Sequence, residues 1–319
     1  FEIYAEEGTL LLDFDGIFSE SVNPSFTVHG RRTFFGGCAG NIAYHLRKLG
    51  CEPIIIGMAG NDFENYEKWM HKNKIKTTYL IRSEKEPTSA AFVVNDSNKK
   101  QLTLFDVGAA CTFSSANEKE LHSIIRSNDE KLSMAIISPT NTTLMQKAVA
   151  ECQSFGIPYI LDPGQVVSLF SSKQLMQMLK GSFALIANED EMAIFRRISG
   201  LKTISNILKH TSLCIETKGE KGSQISTSAF SIPIPAVKSR TVMDPTGCGD
   251  AYRAGILKGL KERFSKQKMG RIAALMGTYS VEKQGTQNHF FHLKEFEKRY
   301  RRNFHEEIRL KSRSNPSRD

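Results

Sequence analysis

The chain lacks any closely spaced cysteine pair. Its six cysteines, Cys38, Cys51, Cys111, Cys152, Cys214 and Cys248, are scattered without a C-x-x-C, which argues against a zinc site or a disulfide scaffold and reads as reduced, mostly structural thiols. No apolar run approaches the length that spans a bilayer. The opening residues carry Glu2, Glu6 and Glu7 where a secretory signal would be apolar. The expectation is a soluble, cytoplasmic protein that engages no membrane. A G-x-x-x-x-G-K-[ST] string is missing too, which sets aside the P-loop kinases. Neither an internal repeat nor a low-complexity linker is visible.

With 319 residues and 40% hydrophobic content the chain can bury a full core, and it reads as one domain over 1–319. Its net charge of +9 is concentrated near the end, in Lys298, Arg299, Arg301, Arg302, Arg309, Lys311, Arg313 and Arg318. These cations alternate with Glu306, Glu307 and Asp319, and no helix-turn-helix, zinc finger or aromatic stacking platform accompanies them. The reading is therefore a solvated terminal helix and a frayed basic tail over about 305–319 rather than a nucleic-acid site. A basic surface also suits a substrate that carries phosphates.

Short apolar runs alternate with amphipathic stretches. Strands are expected at 53–58, 134–138, 159–162, 183–187 and 213–217, and helices at 40–48, 63–73, 143–154, 173–179, 190–198 and 203–209. That alternation is the pattern of a mostly parallel sheet covered by helices on both faces. The segments 10–35 and 88–105 break the rhythm and look like β-hairpins.

One run concentrates the chemistry: Thr241-Val242-Met243-Asp244-Pro245-Thr246-Gly247-Cys248-Gly249-Asp250-Ala251-Tyr252-Arg253-Ala254-Gly255. Gly247 and Gly249 let backbone pass close to a ligand, and the spacing of Ala251, Ala254, Ile256 and Leu257 predicts a helix behind them. Exposed N–H groups and the positive end of a helix dipole then converge on one point, which suits a phosphate whose charge grows during transfer. Asp250, in the first turn, is placed to take a proton from an attacking hydroxyl. An ordinary capped helix after a glycine turn is the duller alternative.

Together with Phe35-Gly36-Gly37-Cys38-Ala39-Gly40-Asn41-Ile42-Ala43, this run resembles the two signatures of the ribokinase-like carbohydrate and nucleoside kinases. Smaller matches follow in the family's order: Leu161-Asp162-Pro163-Gly164, Asn188-Glu189-Asp190-Glu191, Thr217-Lys218-Gly219-Glu220-Lys221-Gly222 and Gly285-Thr286-Gln287-Asn288-His289. The last of these, with the ending 295–300, is similar to the bacterial adenosine-kinase-like branch. The resemblance implies a three-layer α/β/α sandwich, with the segments 10–35 and 88–105 forming a small β-sheet lid.

It also implies roles. Asp250 would be the general base, with Gly247, Cys248 and Gly249 as a backbone anion hole in which the Cys248 side chain matters little. Gly36, Gly37 and Asn41 would hold the acceptor's sugar hydroxyls, Asn41 serving as a helix cap otherwise. Asn188 and Glu191 would order the water shell of Mg2+ on the ATP phosphates, unless they are only an acidic helix start. Thr217, Gly219 and Gly222 would form the nucleotide loop, and Asn288 would lie against the adenine of ATP. Asp244 and Thr246 suggest a monovalent cation such as K+, or simply a turn.

The family's opening strand usually ends near an Asp that grips two acceptor hydroxyls, whereas here, with Phe14-Asp15-Gly16-Ile17-Phe18 set on the branch's lid motif, Thr9 falls at that place and Glu6, Glu7 or Asp13 could substitute only with a shifted register. The expected activity is ATP-dependent phosphorylation of the primary hydroxyl of adenosine by a monomer or homodimer. A ribokinase-type sugar kinase is the alternative among enzymes. A catalytically weak nucleotide-binding relative with a regulatory or nucleic-acid-associated role is the alternative of another class.

Overall fold

The computed structural model describes residues 2–5, 28–95 and 101–311. Three strands with alternating apolar side chains on both faces explain its centre: β8 (Tyr159–Leu161), β9 (Ala184–Asn188) and β10 (Leu213–Thr217). Because successive side chains of a strand point to opposite faces, Leu161, Leu185, Ala187 and Cys214 enter one core, and Ile160, Ala184, Ile186, Leu213 and Ile215 enter the other. A sheet buried on both faces is the setting in which parallel strands are found. Here β7 (Ala135–Ile137), β8, β9 and β10 are parallel, and β11 (Ser223–Ser226) and β12 (Ser231–Ile234) extend the sheet antiparallel in the order β12-β11-β10-β9-β8-β7.

Helices complete the two outer layers. On the first face lie α3 (Ser115–Arg126), α4 (Thr142–Ser154), α5 (Ser172–Leu179) and α6 (Glu189–Ser199), with the short α7 (Ile204–Ile207) beside them. On the second lie α8 (Cys248–Lys261) and α9 (Lys266–Val281), which contribute Tyr252, Ile256, Met269 and Ala273. The N-terminal part adds α1 (Cys38–Lys48), α2 (Glu64–Lys72) and two smaller sheets. One contains β1 (Glu2–Ala5), β2 (Val28–Arg32), β5 (Ala90–Asn95) and β6 (Gln101–Asp106), and the other β3 (Gly57–Ala59) and β4 (Leu80–Arg82). The sheet expected from 88–105 thus takes the form of the antiparallel pair β5–β6, in register from Ala90 opposite Asp106 to Asn95 opposite Gln101. Residues 10–27 of the segment 10–35, Asp13 included, lie with Glu6, Glu7 and Thr9 outside the described residues. Among them no helix is long and apolar enough to cross a membrane.

Four expectations need correction. The strand at 53–58 is reduced to a single bridge, Ile54 to Lys76, and pairing begins only at Gly57, in the two-stranded sheet. The helix at 203–209 closes after one turn. Two helices, α3 and α9, were not foreseen from the sequence. For α9 the reason is visible: Met269, Gly270, Ile272, Ala273, Leu275 and Met276 are all buried, and a helix apolar nearly all round shows no stripe. Finally, 305–311 is docked rather than frayed, with α10 (Leu293–Phe304) leading into buried Ile308 and Leu310. Lys258 Nζ donates to the Lys311 carbonyl at 2.9 Å and Glu297 accepts the Leu310 N–H at 2.6 Å.

Helices α8 and α9 meet where Gly255 faces Ala273. A Cβ on Gly255 would lie 2.4 Å from the Ala273 Cα, a backbone contact that cannot yield cheaply. Gly255→Val should therefore destabilise the protein by about 1–3 kcal/mol, seen as a lower denaturation midpoint; an unchanged midpoint would disprove the close contact.

Candidate active site

The start of α8 is set by its turn. The Asp244 carboxylate accepts the N–H of Thr246 at 2.8 Å and that of Gly285 at 2.9 Å, which folds 244–247 and fastens it to the loop at 285. Gly247 then caps the helix in the left-handed region (φ 78°), and a Cβ there would come within 2.9 Å of Thr286. Only glycine satisfies both demands. Cys248 donates its N–H to the Pro245 carbonyl at 3.2 Å. The Cys248 N–H thus belongs to the turn rather than to an anion hole. The next donors, the N–H groups of Gly249 and Asp250, have no helical carbonyl one turn earlier and open at the positive end of the dipole.

Asp250 occupies the third position of this helix. The first turn of α1 comes to it: Asn41 Nδ2 donates to Asp250 Oδ2 at 2.8 Å. The Asn41 amide is oriented in turn by Trp69, Tyr66 and Gln287, of which only Gln287 stands inside a motif quoted above and none has a role assigned there. Trp69 Nε1 donates to Gln287 Oε1 at 3.0 Å, so Gln287 Nε2 faces the other way and donates to Asn41 Oδ1 at 3.0 Å and to the Tyr66 hydroxyl at 2.6 Å. The Tyr66 hydroxyl in turn donates to the Gly36 carbonyl at 2.7 Å. Thr286 Oγ1 donates to the Phe35 carbonyl at 2.9 Å. Gly36, Gly37 and Asn41 are thereby joined to Gly247, Gly249 and Asp250 in one site, with both glycine-rich helix starts facing it.

Burial pushes the Asp250 carboxyl up to about 6, although Arg253 and the hydrogen bonds from Asn41 and Cys38 act against the rise and Asp162 adds to it. Arg253, one turn along α8, is held by Asp162 through Nε at 2.5 Å and Nη2 at 2.6 Å. Asp162 is fully buried, and Arg253 has only a tenth of its side chain exposed. Cys38, beside Asp250, has its thiol pushed well up by burial and by the Asp250 charge, which keeps it protonated and inert. Arg253, Asp162 and Cys38 stand inside quoted motifs, yet the sequence suggested no role for them. The spacing of Arg253 three residues after Asp250, on one helix face, was the available signal.

A second group of residues lines up along the carboxyl ends of the parallel strands, where ligands bind in open α/β sheets. Asp162 follows β8, Asn188 ends β9 and Thr217 ends β10, the last two directly paired in register. Asn188 and Glu191 cap α6 reciprocally: Asn188 Oδ1 accepts the Glu191 N–H at 2.8 Å, and Glu191 Oε2 accepts the Asn188 N–H at 2.8 Å. Glu191 Oε2 also lies 3.8 Å from Arg253 Nη2, and burial raises the Glu191 carboxyl. This carboxylate is therefore tied to protein groups, which suits contact with a metal through water more than direct ligation. Among the described residues no group of three or more His, Cys, Asp or Glu side chains is arranged to hold a metal ion. Gly219 and Gly222 shape the loop after β10, where the Lys218 N–H donates to the Gly222 carbonyl at 2.8 Å. Asn288 falls elsewhere, on a cavity of about 230 Å³ shared with Thr33, Phe34, Phe35, Trp69 and Gln287. The structure thus places it with the Gly36 group and not in the row of strand ends.

A family model described as pfkB family carbohydrate kinase matches residues 8–291. The chain belongs to this family. It is 33% identical over 271 residues to a nucleoside kinase of Methanocaldococcus jannaschii, covering 83% of this chain and 85% of that protein. The structure of a Burkholderia thailandensis nucleoside kinase in complex with inosine superimposes with a TM-score of 0.84 at 29% identity, over 96% of this chain and 95% of that one. The same Burkholderia kinase in complex with ADP-inosine gives a TM-score of 0.82 at 29% identity, over 99% and 97% of the two chains. The ribokinase-like fold expected from the sequence is therefore the fold found, and this family member is a kinase that uses a hydroxyl acceptor.

Raising a carboxyl's pKa by burial has a measurable thermodynamic sign. An unfolded Asp titrates near ~3.9 and Asp250 near about 6, so between those values the native state holds the extra proton. Stability contributed by that proton is present below about pH 4 and is lost as pH rises through about 6. Asp250→Asn should then be more stable than the parent at about pH 8, by up to roughly 3 kcal/mol, with the gap closing toward about pH 4. Urea denaturation at several pH values measures it, and a parent equal to the variant at every pH would contradict the burial of this charge.

Proposed function

We propose that the chain transfers the γ-phosphoryl group of ATP to the 5'-hydroxyl of a purine nucleoside, adenosine first among them. The observation that carries the reading is Asp250, a carboxylate of raised pKa fixed by Asn41 at a helix start and flanked by both glycine-rich turns. Such a group accepts the hydroxyl proton as the new bond to phosphorus forms, while the bond from phosphorus to the ADP oxygen breaks. The N–H groups of Gly249 and Asp250 and the dipole of α8 meet the negative charge on the transferring group.

Gly36, Gly37 and Asn41 would take the sugar hydroxyls, and the aromatic cavity beside them, lined by Phe34, Phe35 and Trp69, offers apolar surface for a base. Thr217, Gly219 and Gly222 would take the nucleotide. Mg2+ would supply charge neutralisation on the ATP phosphates, with Asn188 and Glu191 holding its water shell. Both Asp244 oxygens serve loop N–H groups, so the geometry adds nothing to the case for a monovalent cation. The pair β5–β6 would close over the acceptor as a lid and exclude water. The names of the similar proteins, nucleoside kinases among them, favour a nucleoside over a free sugar.

The test is ADP release from Mg-ATP with adenosine, inosine, other nucleosides, ribose and fructose in turn. Turnover is expected with purine nucleosides, falling about 10²–10⁴-fold in Asp250→Asn, with kcat/KM rising through about pH 6 as the base ionises. Turnover with ribose or fructose alone would replace the acceptor, and silence with all of them would leave the weak-relative alternative standing.

A further inference from the structure

Beyond the catalytic centre, α1 leads to a second concave site. Asn41 meets Asp250 near the start of this helix and Lys48 ends it, so the two sites are separated along its axis by about 10 Å at ~1.5 Å per residue. Where α1 ends, a cavity of about 340 Å³ is lined by Arg47, Lys48, Lys72, Lys74, Phe290 and His292. That volume falls within the ~300–1,000 Å³ of small-molecule sites. Among the described residues no carboxylate lines it; the carboxylate that approaches is Glu52, 4.0 Å from Arg47.

Basic residues in the last turn of a helix complement its dipole, and Lys48 and Lys72 do so on α1 and α2. That role does not account for the rest. Lys74 stands in the left-handed region at φ 59°, where glycine or asparagine is the ordinary choice after a helix. Lys48, Lys72 and Lys74 make no ion pair among the described residues. Lys48 is half-buried and rests on Asn73 Oδ1 at 3.3 Å and on the rings of Tyr44 and Phe290 at 4.7 and 4.9 Å. Burial and the neighbouring Arg47 charge push its pKa down, a repulsion that an anion would relieve. Phe290 is 63% exposed, an aromatic face at the edge of a cationic hollow.

We infer that this cavity is a second, non-catalytic site for a nucleoside phosphate, whose phosphates meet Arg47, Lys48, Lys72 and Lys74 and whose base stacks on Phe290. Lys48, Lys72 and Lys74, which form no ion pair among the described residues, supply charge-assisted hydrogen bonds to phosphate beside Arg47, which also meets Glu52 at 4.0 Å, and an exposed ring supplies a stacking surface that any base can use. The chemistry needs no bond to be made or broken.

Equilibrium titrations of the full chain with ADP and, separately, with inorganic pyrophosphate test this. The wild-type protein should bind a second equivalent of ADP beyond that of the active site. Lys72→Glu/Lys74→Glu should weaken the second equivalent by roughly ten- to a hundredfold and leave the first, and kcat, unchanged. Phe290→Ala should weaken ADP at the second site while leaving pyrophosphate binding as it was. A single equivalent of ADP in the wild type, or a second one indifferent to the lysine pair, would overturn the proposal. So would equal binding of ADP and pyrophosphate that ignores Phe290→Ala, since that describes a plain basic patch.

Discussion

The site depends on one carboxylate being kept from water without being given a full counter-charge. Arg253 stands on the same helix face as Asp250, close enough to lower its pKa. Left free, that guanidinium would fix Asp250 as a permanent anion. Asp162 prevents this by holding one edge of the guanidinium through Nε and Nη2, so the cation's field is balanced and desolvation prevails at Asp250. The balance requires Asp162 at the end of β8 and α8 laid across the second face of the sheet, where Gly255 lets it close on α9. A buried ion pair of this kind stabilises little when intact, and losing one partner leaves a charge stranded, at a cost of about 3–5 kcal/mol. Its use here is electrostatic tuning.

The second requirement is direction. An amide can present either its oxygen or its nitrogen to a neighbour, and only the nitrogen of Asn41 can support an ionised Asp250. Trp69 settles the matter, because an indole can only donate. Its bond to Gln287 Oε1 turns the Gln287 nitrogen to Asn41 Oδ1, and so the Asn41 nitrogen to Asp250. A single tryptophan thus sets the polarity of a chain of hydrogen bonds that ends on the carboxylate. The bonds span 209 to 246 positions of sequence, so each also ties the N-terminal part of the fold to the C-terminal part.

This explains what was legible in the sequence and what was not. The doubly apolar strands around Ile160, Ile186 and Ile215 carry their burial in a local alternation, and Gly247 with Asp250 carries its chemistry within four residues. The Trp69 to Gln287 relay has no local pattern, because its members meet only after folding. Helix α9 hid for the opposite reason, being apolar nearly all round past its first turn. Asn188 and Glu191 show how one pattern serves two ends: the spacing that resembles a nucleotide motif is also a capping box, and both follow from a side chain reaching the N–H groups of a first turn.

Charge gives the last lesson, since the sum of +9 says nothing about where the surplus lies. Two of the C-terminal cations that dominate the sequence are paired among the described residues, and two more are paired on the preceding helix. Arg299 forms a doubly bonded pair with Glu282, Arg301 meets Glu307, and Glu306 gathers Lys268 and Arg271. Around the cavity at the end of α1 four cations converge from two helix ends and a turn in the left-handed region, with no carboxylate among the described residues that line it and Glu52 4.0 Å from Arg47. Attraction for an anion falls off within about 10 Å at ordinary salt, so it is set by these few neighbouring charges and not by the total.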